Sequence, residues 1–150
     1  MIREATIEDI PELTKMANDF HKYAIEDKGL KFLPTDFVRY CIFLMESPAA
    51  TIIVLSKDEM IVGGIAGLVF PWFMDFSQLI VTEQWWWVDP DHRKGRVAFD
   101  LLDSLSSWGK GLGATQINMI SIGSDREETI KKYYGRKGFT YLETHFIKEI

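Results

Sequence analysis

The stretch that decides the fold runs from residue 85 to residue 102 and reads WWWVDPDHRKGRVAFDLL. Its first four residues are aromatic or β-branched and predict the end of a strand. Asp89-Pro90 and the basic residues after it predict a turn. The apolar residues Val97, Leu101 and Leu102 then recur at the spacing of one helix face, within a helix predicted over about residues 94–110. The segment therefore predicts a strand, a basic turn and a helix in succession.

The start of this helix is a candidate site for a pyrophosphate. A helix N-terminus presents backbone N–H groups without intrahelical partners and about half a positive charge. Arg93, Lys94 and Arg96 add positive charge there. Gly95 allows the backbone to approach a ligand closely, and the small Ala98 leaves room above the first turn. Taken alone, a basic helix start is more often a solvated surface feature, so the flanking segments have to decide.

The whole chain, residues 1–150, is predicted to form one α/β domain with a mixed, partly antiparallel sheet flanked by helices. The predicted order is β-α-α-β-β-β-α-β-α-β-β, and residues 51–70 are predicted to form a hairpin. Helices are predicted from Thr6 to about residue 24, from Pro34 or Thr35 to Pro48, over residues 94–110, and from Ser124 or Asp125 to Gly138. Strands are predicted over Ile2–Ala5, Thr51–Leu55, Met60–Phe70, Leu79–Val88, Gln116–Ile122, Phe139–Leu142 and His145–Ile150.

Composition excludes several classes of function. With 17 Lys and Arg against 22 Asp and Glu, the net charge of −5 disfavours nucleic acid as the main ligand. The single cysteine, Cys41, rules out an intramolecular disulfide, and His21, His92 and His145 show no ligand spacing, so no metal site is predicted. No apolar run reaches the roughly 20 residues that span a bilayer, and the first residues do not resemble a signal peptide. These absences predict a cytoplasmic protein.

With its flanks, the sequence resembles the GCN5-related N-acetyltransferase (GNAT) family. In that family a strand ending in Val-x-Pro leads to Arg/Gln-x-x-Gly-x-Gly/Ala and a helix with paired leucines. Here residues 88–90 and 101–102 fit, Arg93 and Ala98 match the ends of the loop, and Arg96 stands where the family usually has glycine, one place after Gly95. Residues 134–139, YGRKGF, resemble the family's Tyr-x-x-x-Gly-Phe, and residues 2–10 and 60–67 resemble its opening and its second and third strands.

The resemblance implies an acetyl-coenzyme A-dependent N-acetyltransferase that transfers the acetyl group directly to an amine of a small molecule or protein. The cofactor would lie between the fourth and fifth strands, its pyrophosphate on the backbone amides and basic side chains of residues 93–98. The residues assigned to the cofactor are Trp86, Trp87, Val88, Arg93, Lys94, Gly95, Arg96, Val97 and Ala98. A backbone N–H near Trp86–Val88 would stabilise the oxyanion.

Two side chains are assigned to proton transfer. Tyr134 is the family-matched general acid for the leaving thiolate, and Glu83 is the candidate base for the amine, with Asp89 as the second choice. Strict alternation along the strand places Glu83 with Trp85 and Trp87 on one face, unless a bulge breaks it.

Alternatives remain open at this point. The chain could instead be a noncatalytic GNAT-fold binding or regulatory module, or a nucleotide-binding α/β protein without acyl transfer. The aromatic residues of the predicted loop Pro71–Ser77 form either a wall of the acceptor site or a contact between two copies in a homodimer. The net negative charge weakly favours a cationic acceptor such as a polyamine, an aminoglycoside or a lysine-bearing protein.

Overall fold

The computed structural model describes residues 1–122 and 127–150. Its helices and strands follow in an order that agrees with the prediction up to the last helix. The strands are β1 (Ile2–Glu4), β2 (Ala50–Lys57), β3 (Met60–Trp72), β4 (Asp75–Val88) and β5 (Gln116–Asn118). The helices are α1 (Ile10–Ala24), α2 (Pro34–Glu46), α3 (Val97–Gly111) and α4 (Glu127–Arg136).

The strands form one mixed sheet in the order β1-β2-β3-β4-β5. Neighbouring strands are antiparallel except β4 and β5, which run parallel. This confirms the predicted α/β class and the partly antiparallel sheet. The parallel pair requires a crossover, which α3 provides between β4 and β5.

Helices cover both faces of the sheet. Alternation along β2 sends Ile52 to the face covered by α1 and α2 and Ile53 to the face covered by α3. On the first face Leu13 and Leu44 are buried, and on the second Leu101 is buried. Burying each such side chain contributes about 1.5–3 kcal/mol. The helices packed on the two faces of the sheet therefore fix the position of β4, which lies between them.

The start of α1 is secured by an ion pair. The predicted cap Thr6 donates its backbone N–H to Asp9 Oδ2 at 2.7 Å. Arg3 of β1 binds the same carboxylate with both terminal nitrogens, at 2.6 and 2.8 Å. The Arg3 hydrogen bond is the main reason that the pKa of Asp9 falls to about 2. The contact attaches the first helix to the edge of the sheet.

The segment Pro71–Ser77, predicted to be a loop, is instead the end of the β3–β4 hairpin, with only residues 73 and 74 between the strands. Pro71 pairs with Leu79 and Trp72 with Asp75, so the hairpin forms an arm beyond the end of β2. Proline is tolerated at such an edge because its missing N–H leaves no partner unsatisfied. Seven residues of strand, roughly 23 Å, separate Phe76 from Glu83. The arm therefore does not form a wall of the site at Glu83, and the dimer contact stays a prediction.

The two predicted terminal strands, Phe139–Leu142 and His145–Ile150, are not formed. Residues 139–150 have no regular secondary structure, and residues 140–150 are exposed. A strand needs a neighbouring edge with free N–H and C=O groups. The edge strand β5 has only three residues, where seven had been predicted, and so offers little length for pairing. The predicted caps Ser124 and Asp125 lie outside the described residues.

In residues 1–122 and 127–150, no helix combines the length and the apolar character needed to cross a membrane.

Candidate active site

β4 and β5 separate halfway along β4. Their parallel pairing ends where Thr82 faces Asn118. β4 then continues to Val88 without β5 beside it. The two strands thus form the sides of an opening whose floor lies at Glu83.

A β-bulge in β4 changes which residues face this opening. Ala66 of β3 pairs with Trp85, whereas the next residue, Gly67, pairs with Glu83, so Gln84 is an extra residue in the ladder. The strict alternation used in the sequence analysis is therefore wrong across Gln84. Glu83 does not share a face with Trp85 and Trp87.

The contacts of the bulged residues confirm this change of face. Gln84 points to the α2 side, where its Oε1 accepts a hydrogen bond from Tyr40 Oη at 2.5 Å. Glu83 points to the other side, where its Oε2 accepts from the backbone N–H of Ile120 at 3.0 Å. The carboxylate thus joins β4 to the chain just beyond β5, directly below the opening.

Glu83 is a buried carboxyl group with an altered acidity. Only 6% of the residue is exposed. Burial raises the pKa of Glu83 to about 7, and the hydrogen bond from Ile120 opposes this only in part. A carboxyl group with this pKa is available both as acid and as base at neutral pH.

Tyr134 of α4 approaches the same opening from the other side. Its hydroxyl donates to the carbonyl oxygen of Ile120 at 2.9 Å, and its ring centre lies 6.3 Å from that of Trp86. Burial, and then the charge of Glu83, raise the pKa of Tyr134, so the phenol stays protonated at neutral pH. Its neighbour Tyr133 stacks on Phe99 of α3 at 4.3 Å and has a packing role.

The free edge of β4 directs backbone N–H groups into the opening. The N–H of Asp89 donates to Val62 of β3 at 2.9 Å, so it points away from the opening. Backbone groups of successive strand residues point to opposite edges, so the N–H groups of Val88 and Trp86 point into it. Trp86 and Val88 are among the residues predicted to bind the cofactor, and a backbone N–H of this stretch was predicted to stabilise the oxyanion.

Arg93 lies at the end of this edge and is engaged with the protein itself. Its Nε donates to the carbonyl oxygen of Val88 at 2.7 Å. Its guanidinium carbon lies 4.4 Å from the ring centre of Trp87 and 5.5 Å from that of Tyr23. The side chain thus connects the basic turn to β4 and α1.

The basic turn leads into α3 with its backbone donors free. The first intrahelical bond runs from Asp100 N–H to Arg96 O at 2.8 Å, and no side chain in the described part of the chain caps the helix start. The N–H groups of residues 97–99 therefore precede the helical ladder. Gly95 adopts φ of +73°, which favours glycine, and a Cβ there would meet nothing within 4 Å. The turn is thus open toward a ligand.

The side chains of the turn differ in their surroundings. Lys94 is exposed. Arg96, at the position usually taken by glycine in the family, is 3.4 Å from Asp100 and 3.8 Å from Asp103 and is largely exposed. Ala98 is half-buried in the first turn of α3. The backbone N–H groups of this turn are thus free to bind an anion, while the binding roles of Lys94 and Arg96 stay predictions.

Other candidates from the sequence have different roles. Asp89 lies in the turn after β4, and its backbone N–H donates to the carbonyl oxygen of Val62. Cys41 is fully buried, and burial raises the pKa of its thiol to about 11. His21 Nε2 is 2.7 Å from the carbonyl oxygen of Leu30. Among the residues that the structure describes, no group of three His, Cys, Asp or Glu side chains could hold a metal ion.

Sequence reasoning missed Tyr40, Gln84 and Ile120. Their contribution depends on the bulge and on the position of the chain beyond β5, and both are results of pairing between distant segments. No local pattern in residues 83–85 predicts that Gln84 forms a β-bulge.

A family model described as the acetyltransferase (GNAT) family matches residues 11–139. The chain belongs to this family. No curated protein gives a significant match.

Solved structures show the same fold at low sequence identity. A predicted acetyltransferase from Clostridium acetobutylicum, solved with acetyl-CoA, superimposes with a TM-score of 0.77 at 15% identity over 99% of this chain and 95% of the other. An aminoglycoside acetyltransferase from an uncultured soil metagenomic sample gives 0.75 at 19% identity, covering 100% and 97%. A ribosomal-protein-alanine N-acetyltransferase from Brucella melitensis gives 0.75 at 13%, covering 100% and 99%.

As a GNAT acetyltransferase, the chain uses acetyl-CoA as its acetyl donor. This confirms the predicted enzyme and co-substrate over a noncatalytic module. The residues present fit that molecule: free N–H groups at the start of α3 suit a pyrophosphate, and the unpaired edge of β4 suits an amide-bearing arm.

Proposed function

We propose that this chain transfers the acetyl group of acetyl-CoA directly to a primary amine. The observation that carries the proposal is the arrangement around Ile120. Glu83 accepts from its N–H and Tyr134 donates to its carbonyl oxygen, so a proton acceptor and a proton donor flank one opening. The unpaired β4 edge runs along the same opening.

The proposed reaction assigns one proton movement to each side chain. The amine nitrogen attacks the thioester carbon, and the N–H groups of Trp86 and Val88 stabilise the oxyanion that forms. Glu83 accepts the proton that the amine loses. The carbon–sulfur bond then breaks, and Tyr134 donates its proton to the leaving thiolate. The products are an amide and the free thiol of coenzyme A.

The test is release of free thiol from acetyl-CoA in the presence of a panel of primary amines, with mass spectrometry of the acetylated product. Tyr134→Phe and Glu83→Gln are each expected to lower kcat by about 10²–10⁴-fold. Tyr141→Phe is the matched control, because Tyr141 is 75% exposed and lies outside the opening. Full activity in Tyr134→Phe would reject the acid assignment. Tight binding of acetyl-CoA without acetylation of any amine would reject amine transfer itself.

A further inference from the structure

The helix that carries the proposed acid lies at the surface of the protein. None of the residues of α4, Glu127–Arg136, all of which belong to the described part of the chain, is fully buried. The second half of the helix packs on α3, where the ring of Tyr133 stacks on that of Phe99. The position of Tyr134 therefore depends on contacts at the surface of α3 rather than on helix residues enclosed in the core.

An ion pair joins the end of α4 to α3. Lys137, the residue after α4, places its Nζ 2.8 and 3.0 Å from the two carboxylate oxygens of Asp103. The same Nζ lies 4.7 Å from the ring centre of Phe99. The Lys137 side chain is 24% exposed, so water screens this pair only in part. The ammonium group thus bridges a carboxylate of α3 and the ring on which Tyr133 stacks.

Lys137 is connected to Tyr134 through the backbone. The N–H of Lys137 donates to the carbonyl oxygen of Tyr134 at 2.9 Å, and the N–H of Phe139 donates to the same oxygen at 3.1 Å. Gly138, between them, adopts φ of +82°, which favours glycine and closes the helix end. A movement of Lys137 away from Asp103 would therefore displace the backbone of Tyr134 as well.

Asp103 also lies within reach of the basic turn. Arg96 Nη2 is 3.8 Å from Asp103 Oδ2. Asp103 belongs to α3, and the start of this helix carries the backbone N–H groups that suit a pyrophosphate. One helix thus joins the proposed cofactor turn to the ion pair at the end of α4.

We propose that Asp103 is a positioning residue for Tyr134. Its ion pair with Lys137 holds the end of α4 on α3, so that the Tyr134 hydroxyl stays at the opening, where it donates to the carbonyl oxygen of Ile120. The assignment rests on the proposed role of Tyr134 as the acid. Asp103 acts through Lys137 and does not itself transfer a proton.

Kinetics with acetyl-CoA and the fastest-reacting amine of the panel test this role. Asp103→Asn and Lys137→Gln are each expected to lower kcat by about fivefold, with KM for acetyl-CoA within about twofold of the wild type. Lys137→Gln leaves the contact between Asp103 and Arg96 in place, so an effect that both variants share belongs to the ion pair. Lys131→Gln is the matched control, because Lys131 pairs with Glu127 inside α4. An unchanged kcat in both variants, or an equal loss in Lys131→Gln, would overturn the proposal.

A Tyr134→Phe background separates positioning from general damage to the fold. If Asp103 acts through the Tyr134 hydroxyl, Asp103→Asn lowers kcat in the wild type and leaves kcat of Tyr134→Phe unchanged. The same fold-loss in both backgrounds would show that Asp103 supports the structure without positioning the acid.

Hydrogen exchange measured by NMR gives a readout that does not depend on activity. The N–H groups of Lys137 and Phe139, which bond to Tyr134, should exchange faster in Asp103→Asn and at the wild-type rate in Lys131→Gln. Unchanged exchange in Asp103→Asn would overturn the proposal. Faster exchange together with full activity in Tyr134→Phe would instead reject Tyr134 as the acid and leave the attachment of α4 by Asp103 intact.

Discussion

Glu83 is a carboxyl group placed where its charge is poorly solvated. Within residues 1–122 and 127–150, its side chain receives one hydrogen bond, from the Ile120 N–H, and it is almost fully buried. Burial disfavours the ionised form and raises the pKa to about 7. The sequence singled out Glu83, but its acidity follows from burial in the folded protein, which the hydrogen bond from Ile120, 37 residues away along the chain, opposes in part.

The first prediction concerns the pH dependence of the reaction. As the pH falls through about 7, Glu83 takes up a proton and no longer accepts one from the amine. We therefore expect kcat/KM to fall as the pH drops below about 7. Glu83→Gln should be slow and should retain only the dependence due to the amine itself. The role of Glu83 would be contradicted if kcat/KM of the wild type did not fall on the acidic side of pH 7. It would also be contradicted if Glu83→Gln showed the same fall.

The raised pKa of Glu83 also makes the stability of the fold depend on pH. The ordinary pKa of 4.5 applies in the unfolded chain, and the folded value is higher, so the folded state binds the proton more tightly. Stability is therefore lost as the pH rises from about 4.5 through 7. Thermal unfolding at pH 5 and pH 8 should show Glu83→Gln gaining stability over the wild type at the higher pH only.

At the scale of elements, the bulge in β4 is the feature that creates the site. It shifts Glu83 to the opening while Trp85 and Trp87 stay on the α1/α2 face. Tyr40 of α2 holds the extra residue through its hydrogen bond to Gln84 Oε1. A helix that packs on one face thus determines which side chain reaches the other.

Removing that hydrogen bond tests the coupling. Tyr40→Phe is expected to cost about 1 kcal/mol of stability and to lower kcat several-fold, because the bulge loses one of its supports. The limb of the pH profile should also move below pH 7, since water then reaches Glu83 more easily. Urea unfolding and pH–rate profiles measure these effects, with Tyr141→Phe as control. An unmoved limb would mean that the hydrogen bond is structural only.

At the scale of the whole molecule, the proposed acetyl-CoA site joins β4, the basic turn and α3. At a concentration 100 times Kd, a ligand that binds only the folded state adds about 2.7 kcal/mol to stability, or roughly 5–11 °C in Tm for a domain of this size. We expect acetyl-CoA to produce a shift of this order in thermal unfolding.

Two glycine variants test whether the Tm shift arises from binding at the basic turn. Gly95→Ala places a side chain at φ of +73°, so the turn is strained by about 1–2 kcal/mol or changes conformation. The ligand-induced Tm shift should shrink in this variant. Gly111→Ala lies at the end of α3 in open space and should keep the full shift. Equal shifts in both variants would contradict binding at the turn.

Much of the architecture follows from local patterns that the sequence contains. The start of α3, the ends of α1 and α2 and the β2–β3 hairpin depend on prolines, glycines and apolar spacing within a few residues of each boundary. The basic turn with Gly95 was predictable for the same reason, whereas the choice of Glu83 and Tyr134 as candidates came from the resemblance to the GNAT family. Their roles remain predictions that the experiments above address.

Only the tertiary structure decided which side chains meet. The β4 bulge, the contact of Arg93 with Val88 and Trp87, and the flanking of Ile120 by Glu83 and Tyr134 all join distant parts of the chain. The length of β5, and with it the absence of strand pairing for residues 139–150, likewise depends on which edges are available. Local propensity cannot encode these features, because each depends on the free energy of pairing and burial between segments far apart in sequence.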